Sequence, residues 1–328
     1  MAIRSGLASQ IGIGAETTYG TPVTPTEYIE FNSESLVYNI ARMESAGLRA
    51  TNRVVRTDRW VAGKRDVSGD ITAEIQSKGM GLFLKAATGN SVITTPSGAT
   101  LTRLHTYTLG DPFGVSYTIQ VGRPDTSGTV DSFSYDGCKV SAWELSSTLD
   151  GFTMGKWSWI GQNESIGTPS LGTAAYPASS EVFSWVGGGL TIAGSAPTVV
   201  KDIKININNQ LKADRYSIAS SQDLREPILG AFTDITGSIT LEFDSPTTYQ
   251  RFVNGTVGQV VATWTGQTAI ESTFFPSLTV TMPNVRFDGT SPNVTGPGIV
   301  DVTLPFKALY DGTNQPITIA WQTSDTTD

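Results

Sequence analysis

The chain has 328 residues, 38% of them hydrophobic, which suffices for two domains with a core each. Its formal net charge of −8 excludes an extended basic surface that grips nucleic acid, and its single cysteine, Cys138, excludes an intrachain disulfide. Only 16% of residues are charged, so the surface is polar but weakly charged, rich in Gly, Ser and Thr. Such a surface suits burial against other subunits; the alternative is an all-β protein whose solvent faces carry Thr because Thr favours strands. No apolar run reaches transmembrane length and no export signal opens the chain, so membrane insertion is not expected.

In chain order, residues 1–27 read as an extended arm, because the two prolines of TPVTP forbid a regular helix there. A first domain is expected over 28–160. It starts with the β-type segment 28–40. The basic stretch 41–65 follows, without a period of 2 or 3.6, and reads as a long loop between strands. Residues 69–75 alternate, with Ile71, Ala73 and Ile75 on one face and Thr72 and Glu74 on the other. Ser77–Ala87 carries the broad apolar face of a short helix. A Thr/Ser-rich loop is expected over 88–104. Strand signals then return at 105–109, 115–121, 130–135, 138–144 and 152–160, with a bulge or bend at Gly155. Residues 161–180, rich in Gly, Pro and Ser, read as a linker.

A second domain is expected over 181–328, and it repeats the first. DITGSITLEFDSPTTYQRFVNG (234–255) matches DVSGDITAEIQSKGMGLFLKAATG (66–89): a Gly-bearing turn at Gly69 or Gly237, an alternating strand, a short helix, a closing Gly. The second strand core reads Ile239, Leu241, Phe243, with Thr240 and Glu242 opposite. Lys201–Asn208 alternates as the counterpart of Leu36–Ile40, and an arginine-bearing stretch again separates it from the Gly turn. Strands at 257–264, 278–282 and 299–306 and a terminal strand after an Asp311–Gly312 turn complete it. The fold class is therefore mainly β: two tandem sandwich or barrel domains, each with one short flanking helix.

Chemistry is sparse. The Gly12–Gly14 pair is half a dinucleotide fingerprint with no preceding βαβ strand. One histidine, His105, and one cysteine cannot supply the usual zinc sets, and no serine sits in a nucleophile elbow. No enzyme and no cofactor is expected. Two sets of residues remain of interest. Thr72, Glu74, Thr240 and Glu242 occupy matching strand positions and are candidates for the wall of a lumen, or for an outward or interface face. Arg49, Arg53, Arg56, Arg59 and Arg65 are candidates for an intersubunit loop, with DNA phosphates as the alternative partner; the interspersed Glu30, Glu34 and Glu44 favour the loop.

The wording of residues 12–22 (GIGAETTYGTP) and 31–36 (FNSESL) resembles the major tail tube proteins of long-tailed, non-contractile bacteriophages, and the resemblance extends to the Gly69 strand–helix unit and the late strand at 298–306. It implies a structural virion protein made in the bacterial host cytoplasm. In that family, β-sandwich domains join edge to edge as rings that stack into a hollow tube for DNA. The implied partners are other copies of the chain, the tape-measure protein and DNA in the lumen, and the terminator and distal tail proteins at the tube ends. Most members carry one such domain and form hexameric rings. Two domains per chain imply a trimeric ring with six similar positions, or a hexamer with the second domain outside. A head decoration protein is the alternative class.

Overall fold

The computed structural model describes residues 5–197, 199–218, 221–243, 250–251, 253–289 and 296–328. It is mainly β, 50% strand against 6% helix. The first half contains β1 (Gln10–Ala15), β2 (Glu27–Ile29), β3 (Ser33–Glu34), β4 (Val37–Glu44), β5 (Trp60–Glu74), helix α1 (Gly81–Thr88), β6 (Gly89–Thr94), β7 (Arg103–Leu109), β8 (Tyr117–Pro124), β9 (Val130–Thr148), β10 (Met154–Gly161) and β11 (Asn163–Ile166). The second contains β12 (Gly188–Ile192), β13 (Val200–Asn208), β14 (Leu211–Lys212), β15 (Ile228–Leu229), β16 (Asp234–Glu242), β17 (Gly258–Thr265), β18 (Ser277–Phe287), β19 (Asp301–Ala308) and β20 (Thr318–Thr323).

Pairing is antiparallel in every ladder between these strands, and two layers result. One layer is a continuous sheet in the order β4–β5–β10–β9–β13–β16–β19. The other layer has two parts: β2–β1–β8–β9–β11, and β12–β17–β18–β20–β7–β6. Two long strands cross between layers. The first half of β9 pairs with β8 and β11, while residues 139–146 pair with β10 across a register shift. β18 does the same, leaving β17 and β20 to pair with β19 at Val285–Phe287. Such shifts let one strand bend from layer to layer. The order β4–β5–β10–β9 thus recurs as β13–β16–β19–β18, and β1–β8–β9–β11 recurs as β12–β17–β18–β20.

The core lies between the layers, and alternation explains it. Ile71, Ala73 and Ile75 are fully buried and so are Ile239 and Leu304, while Thr72, Glu74, Thr240 and Glu242 stay half-buried on the other face. Trp143, Trp157 and Trp159 lie against α1, where Phe83 meets Trp157 edge-on at 5.3 Å and the Trp157 indole N–H donates to the Phe83 carbonyl at 3.0 Å. α1 has only eight residues; it ends at Gly89 in the left-handed region (φ 96), whose N–H bonds back to the Lys85 carbonyl.

Several expectations change. The arm holds a buried strand: β1 sits between β2 and β8 with Ile11 and Ile13 fully covered, and a Cβ on Gly12 would collide with Pro25 and Tyr28. That packing accounts for the Gly-x-Gly spacing. The stretch 41–65 is a long loop between strands only over 45–59; its ends, 41–44 and 60–65, belong to β4 and β5, which stay paired from Val37↔Ser68 out to Glu44↔Trp60. The loop expected at 88–104 contains β6, and the stretch 161–180 contains β11. Gly155 is no bulge: it faces the Trp157 ring and Ile75, where no side chain fits. Phe243 follows the end of β16 and is 36% exposed, unlike Ile75 at the matching place. The second-copy helix lies mostly outside the described residues; Gln250, Arg251, Val253 and Asn254 are helical.

Candidate functional site

The seven-stranded layer has one face turned away from the core. Its register can be read across the strands. Thr72 is level with Lys156, Glu144, Asn206, Thr236 and Lys307. One step along, Glu74 is level with Met154, Ser146, Lys204 and Ser238. Further toward the same end, Thr148, Asp202, Thr240 and Thr303 form a row, and Glu242 pairs with Asp301. The four candidate wall residues therefore share one face of one sheet, on strands from both halves of the chain.

That face is closed electrostatically by cross-strand pairs. Lys156 meets Asp70 at 2.9 Å, Lys204 meets Glu144 at 2.8 Å, Lys307 meets Asp234, and Lys201 meets Asp301 at 2.7 Å and Glu242 at 3.6 Å. Partial burial works to raise the Asp70 carboxyl, yet hydrogen bonds from Lys156 and Ser158 hold it below its ordinary value. Thr240 and Thr303 share a hydroxyl hydrogen bond of 3.1 Å. Each exposed pair is worth little for stability. Together they tie down the lysines, so among the described residues the face offers carboxylates and hydroxyls with no free basic cluster.

The edges of this sheet matter equally. β9 and β13, from the two halves, pair edge to edge over seven positions, Ala142↔Asn208 to Thr148↔Asp202. At the far end β4 pairs only with β5 among the described residues, and its residues Val37, Ile40 and Met43 are exposed. An open strand edge with apolar side chains is a template for another chain.

The arginines divide. Arg49, Arg53 and Arg59 are exposed on the 45–59 loop, and Arg56 there pairs with Asp58 at 2.7 Å. Arg65 lies within β5 instead. Its backbone is bound by the chain's own segment 222–224, through Arg65 N to the Gln222 carbonyl at 3.0 Å and Leu224 N to the Arg65 carbonyl at 3.1 Å. It leaves the loop set because the β4–β5 pairing reaches further than the sequence pattern indicates.

The titratable groups off this face are structural. His105 is fully buried; its Nε2 donates to the Asp325 carbonyl at 2.8 Å, its Nδ1 lies 3.3 Å from Asp328, and Trp321 abuts it edge-on. Asp136 and Glu16 form a second buried acidic site that the sequence did not single out. Glu16 accepts from Gly20 N, Gly137 N, Ser116 and Thr118. Burial, with Glu16 close by, pushes Asp136 up to about 7. At both sites hydroxyls are tied to the titratable groups by hydrogen bonds: the Tyr107 hydroxyl lies 3.4 Å from His105 Nδ1, and Ser116 donates to Glu16 at 2.6 Å. What the arrangement can do is join sheets.

No curated protein matches the chain. A family model described as phage tail tube protein matches residues 6–308, nearly the whole length. The layered β architecture, the edge-to-edge sheet and that match agree: the chain belongs to the phage tail tube protein family and is a structural protein of the virion tail.

Proposed function

We propose that three copies of this chain close into a ring whose six similar sheets form one continuous barrel, and that the rings stack into the tail tube through which DNA passes. The observation that carries this reading is the β9–β13 joint, a join between two sheet edges made within one chain. Repeating it between chains would pair the open edge of β4 with the matching edge of the next copy's second half, so closure removes the exposed ends of this seven-stranded sheet. The two halves, residues 28–160 and 181–328, then act as quasi-equivalent tube domains. The same joint speaks against a hexamer with the second half outside, since it makes both halves part of one wall.

The outward face of that wall lines the channel in this reading, with Thr72, Glu74, Thr240 and Glu242 on it. Carboxylates and lysine-neutralised pairs would let phosphate slide without adhering. The chain acts as a wall and not as a catalyst. The tape-measure protein and DNA fill the lumen, and terminator and distal tail proteins bind the ends; synthesis takes place in the host cytoplasm. Electron microscopy of tubes viewed end-on tests the assembly: three-fold rings with six-fold pseudosymmetry are expected, and true six-fold rings with peripheral lobes would refute the trimer. Gold-labelled antibodies should decorate the tail shaft; label confined to the head would favour a decoration protein.

A further inference from the structure

Residues 181–184, which lead into the second half, lie as a strap across strand ends of the first. Phe183 N donates to the Ile75 carbonyl at 2.9 Å, Thr153 N to the Phe183 carbonyl at 2.8 Å, and Ser77 N to the Glu181 carbonyl at 2.7 Å. Single antiparallel bridges join Gln76 to Val182 and Phe152 to Ser184. The strap seals the sandwich at this end, where Ile75, Thr153 and Phe183 are all buried. One turn of 3-10 helix, Trp185–Gly187, then carries the chain directly into β12.

The second half has the same strand ends without a strap. Phe243 N donates to the Val300 carbonyl at 2.9 Å, as Ile75 N does to the Thr153 carbonyl at 2.8 Å, so Phe243, Ile299 and Val300 stand where Ile75, Phe152 and Thr153 stand. Among the described residues nothing crosses them: the Phe243 carbonyl and the Val300 N–H make no backbone hydrogen bond, and Phe243 and Ile299 are 36% and 72% exposed. A counterpart of the strap precedes β1, the counterpart of β12. β1 also follows a single 3-10 turn, Gly6–Ala8. The residues before the two turns, Ser5 and Ser184, are both serines with extended backbone (φ −108, ψ 177 and φ −135, ψ 170). Each turn exposes an apolar residue at its middle, Leu7 or Val186.

We infer that residues 2–5 of each copy form this strap on the neighbouring copy of the same ring, across Phe243, Ile299 and Val300 of its second half. In a closed ring every second half has a first half beside it in the relation that the β9–β13 joint sets within the chain, so the segment entering β1 meets the bare strand ends. The replacements are complementary in charge. Counting back from the matched serines, Arg4 takes the place of Phe183; at the strand end, Asp301 opposite Glu242 takes the place of Met154 opposite Glu74. Lys201 alone serves both carboxylates, at 2.7 Å from Asp301 and 3.6 Å from Glu242, which leaves a negative charge for the arginine. The inference rests on the tube reading and adds to it the contact that locks one chain to the next. Each copy gives one strap and receives one, so all straps are seated only when the ring is complete.

Cysteine pairing in assembled tubes tests it. The full chain carrying Ser5→Cys and Ile299→Cys is assembled and oxidised. Phe152→Cys with Ser184→Cys serves as the control that links within one chain, and native Cys138 is fully buried. Covalent oligomers on non-reducing gels that end at the number of chains in one ring are expected. Tubes with no interchain bond although the control pair oxidises, ladders that run on beyond one ring, or a bond closed within one chain would each overturn the inference and leave the tube reading standing. Failure of the unsubstituted chain to form rings or tubes removes the tube reading, and the inference with it. In parallel, removing residues 1–4 should leave the urea midpoint of the unassembled chain unchanged and abolish closed rings; rings formed by that variant at the parent's concentration count against the inference.

Discussion

A buried carboxylate with an orphaned oxygen marks a place where the fold spends stability. Asp136 is 2% exposed and its Oδ1 has no hydrogen-bond partner among the described residues. With its folded value raised to about 7, the folded state binds a proton more tightly than the unfolded chain. The contribution to stability is therefore fully present below about pH 4 and is lost as pH rises toward 7. Asp136→Asn should be more stable than the parent at pH 8, by up to about 4 kcal/mol, and lose the slope between pH 4 and 7. Thermal melts at pH 5 and pH 8 measure it. His105→Ala should instead destabilise by about 2 kcal/mol in urea titration, since it removes a buried hydrogen bond and an aromatic contact. The structural reading of His105 was available from its isolation in the sequence. Asp136 and Glu16 were not legible as a pair, because 120 positions separate them and only the β1–β8–β9 ladder brings them together.

At the scale of elements, alternation carried most of the information. The cores of β5, β13 and β16 follow from period-2 patterns in which Ile, Ala and Leu face one way. The strands that escaped detection lack that contrast. β1 is mostly covered on both faces, and its glycines mimic a loop; β6 alternates Val92 with polar residues but exposes the valine, so no apolar stripe announces it. The repeated glycines, read as turn markers, lie inside strands. A Cβ on Gly69 would strike the Ser35 carbonyl and the Leu36 backbone; one on Gly237 would strike the Lys204 carbonyl and the Phe306 ring. Both glycines let a neighbouring strand approach at the same point of the two halves. Gly69→Ala and Gly237→Ala should each cost about 2 kcal/mol or more, because backbone rather than a movable side chain must yield. Equilibrium unfolding of the two variants checks this, and similar losses would be the energetic signature of the duplication.

At the scale of the whole molecule, sequence repetition points to two units, but the strands tie them into one. Thr318–Thr323 of β20 pairs with Arg103–Thr108 of β7, so a hairpin from the first half completes a sheet of the second. The β9–β13 joint adds seven pairs on the other layer. Polar clasps reinforce both. Glu271 accepts hydrogen bonds from Thr100 N and Oγ1, Leu101 N and Thr102 N at 2.7–2.9 Å, and the Thr100 hydroxyl foremost among them draws its carboxyl down to about 2. Lys139 meets Glu226 at 2.7 Å. Separating the halves would open two sheet edges and strand Trp321, His105 and Tyr107, which are now fully buried. Local sequence could not report this, because β6 and β7 lie between α1 and β8 while their partner comes more than 200 residues later. The full chain should therefore unfold as one cooperative transition, with calorimetric and van't Hoff enthalpies equal. Fragments 1–180 and 181–328 should each be insoluble or poorly folded when made alone, and should regain native circular dichroism only when refolded together. Two resolved transitions in the intact chain, or independently folded fragments, would mean that the halves are joined like beads and that the wall of the tube flexes at β9–β13.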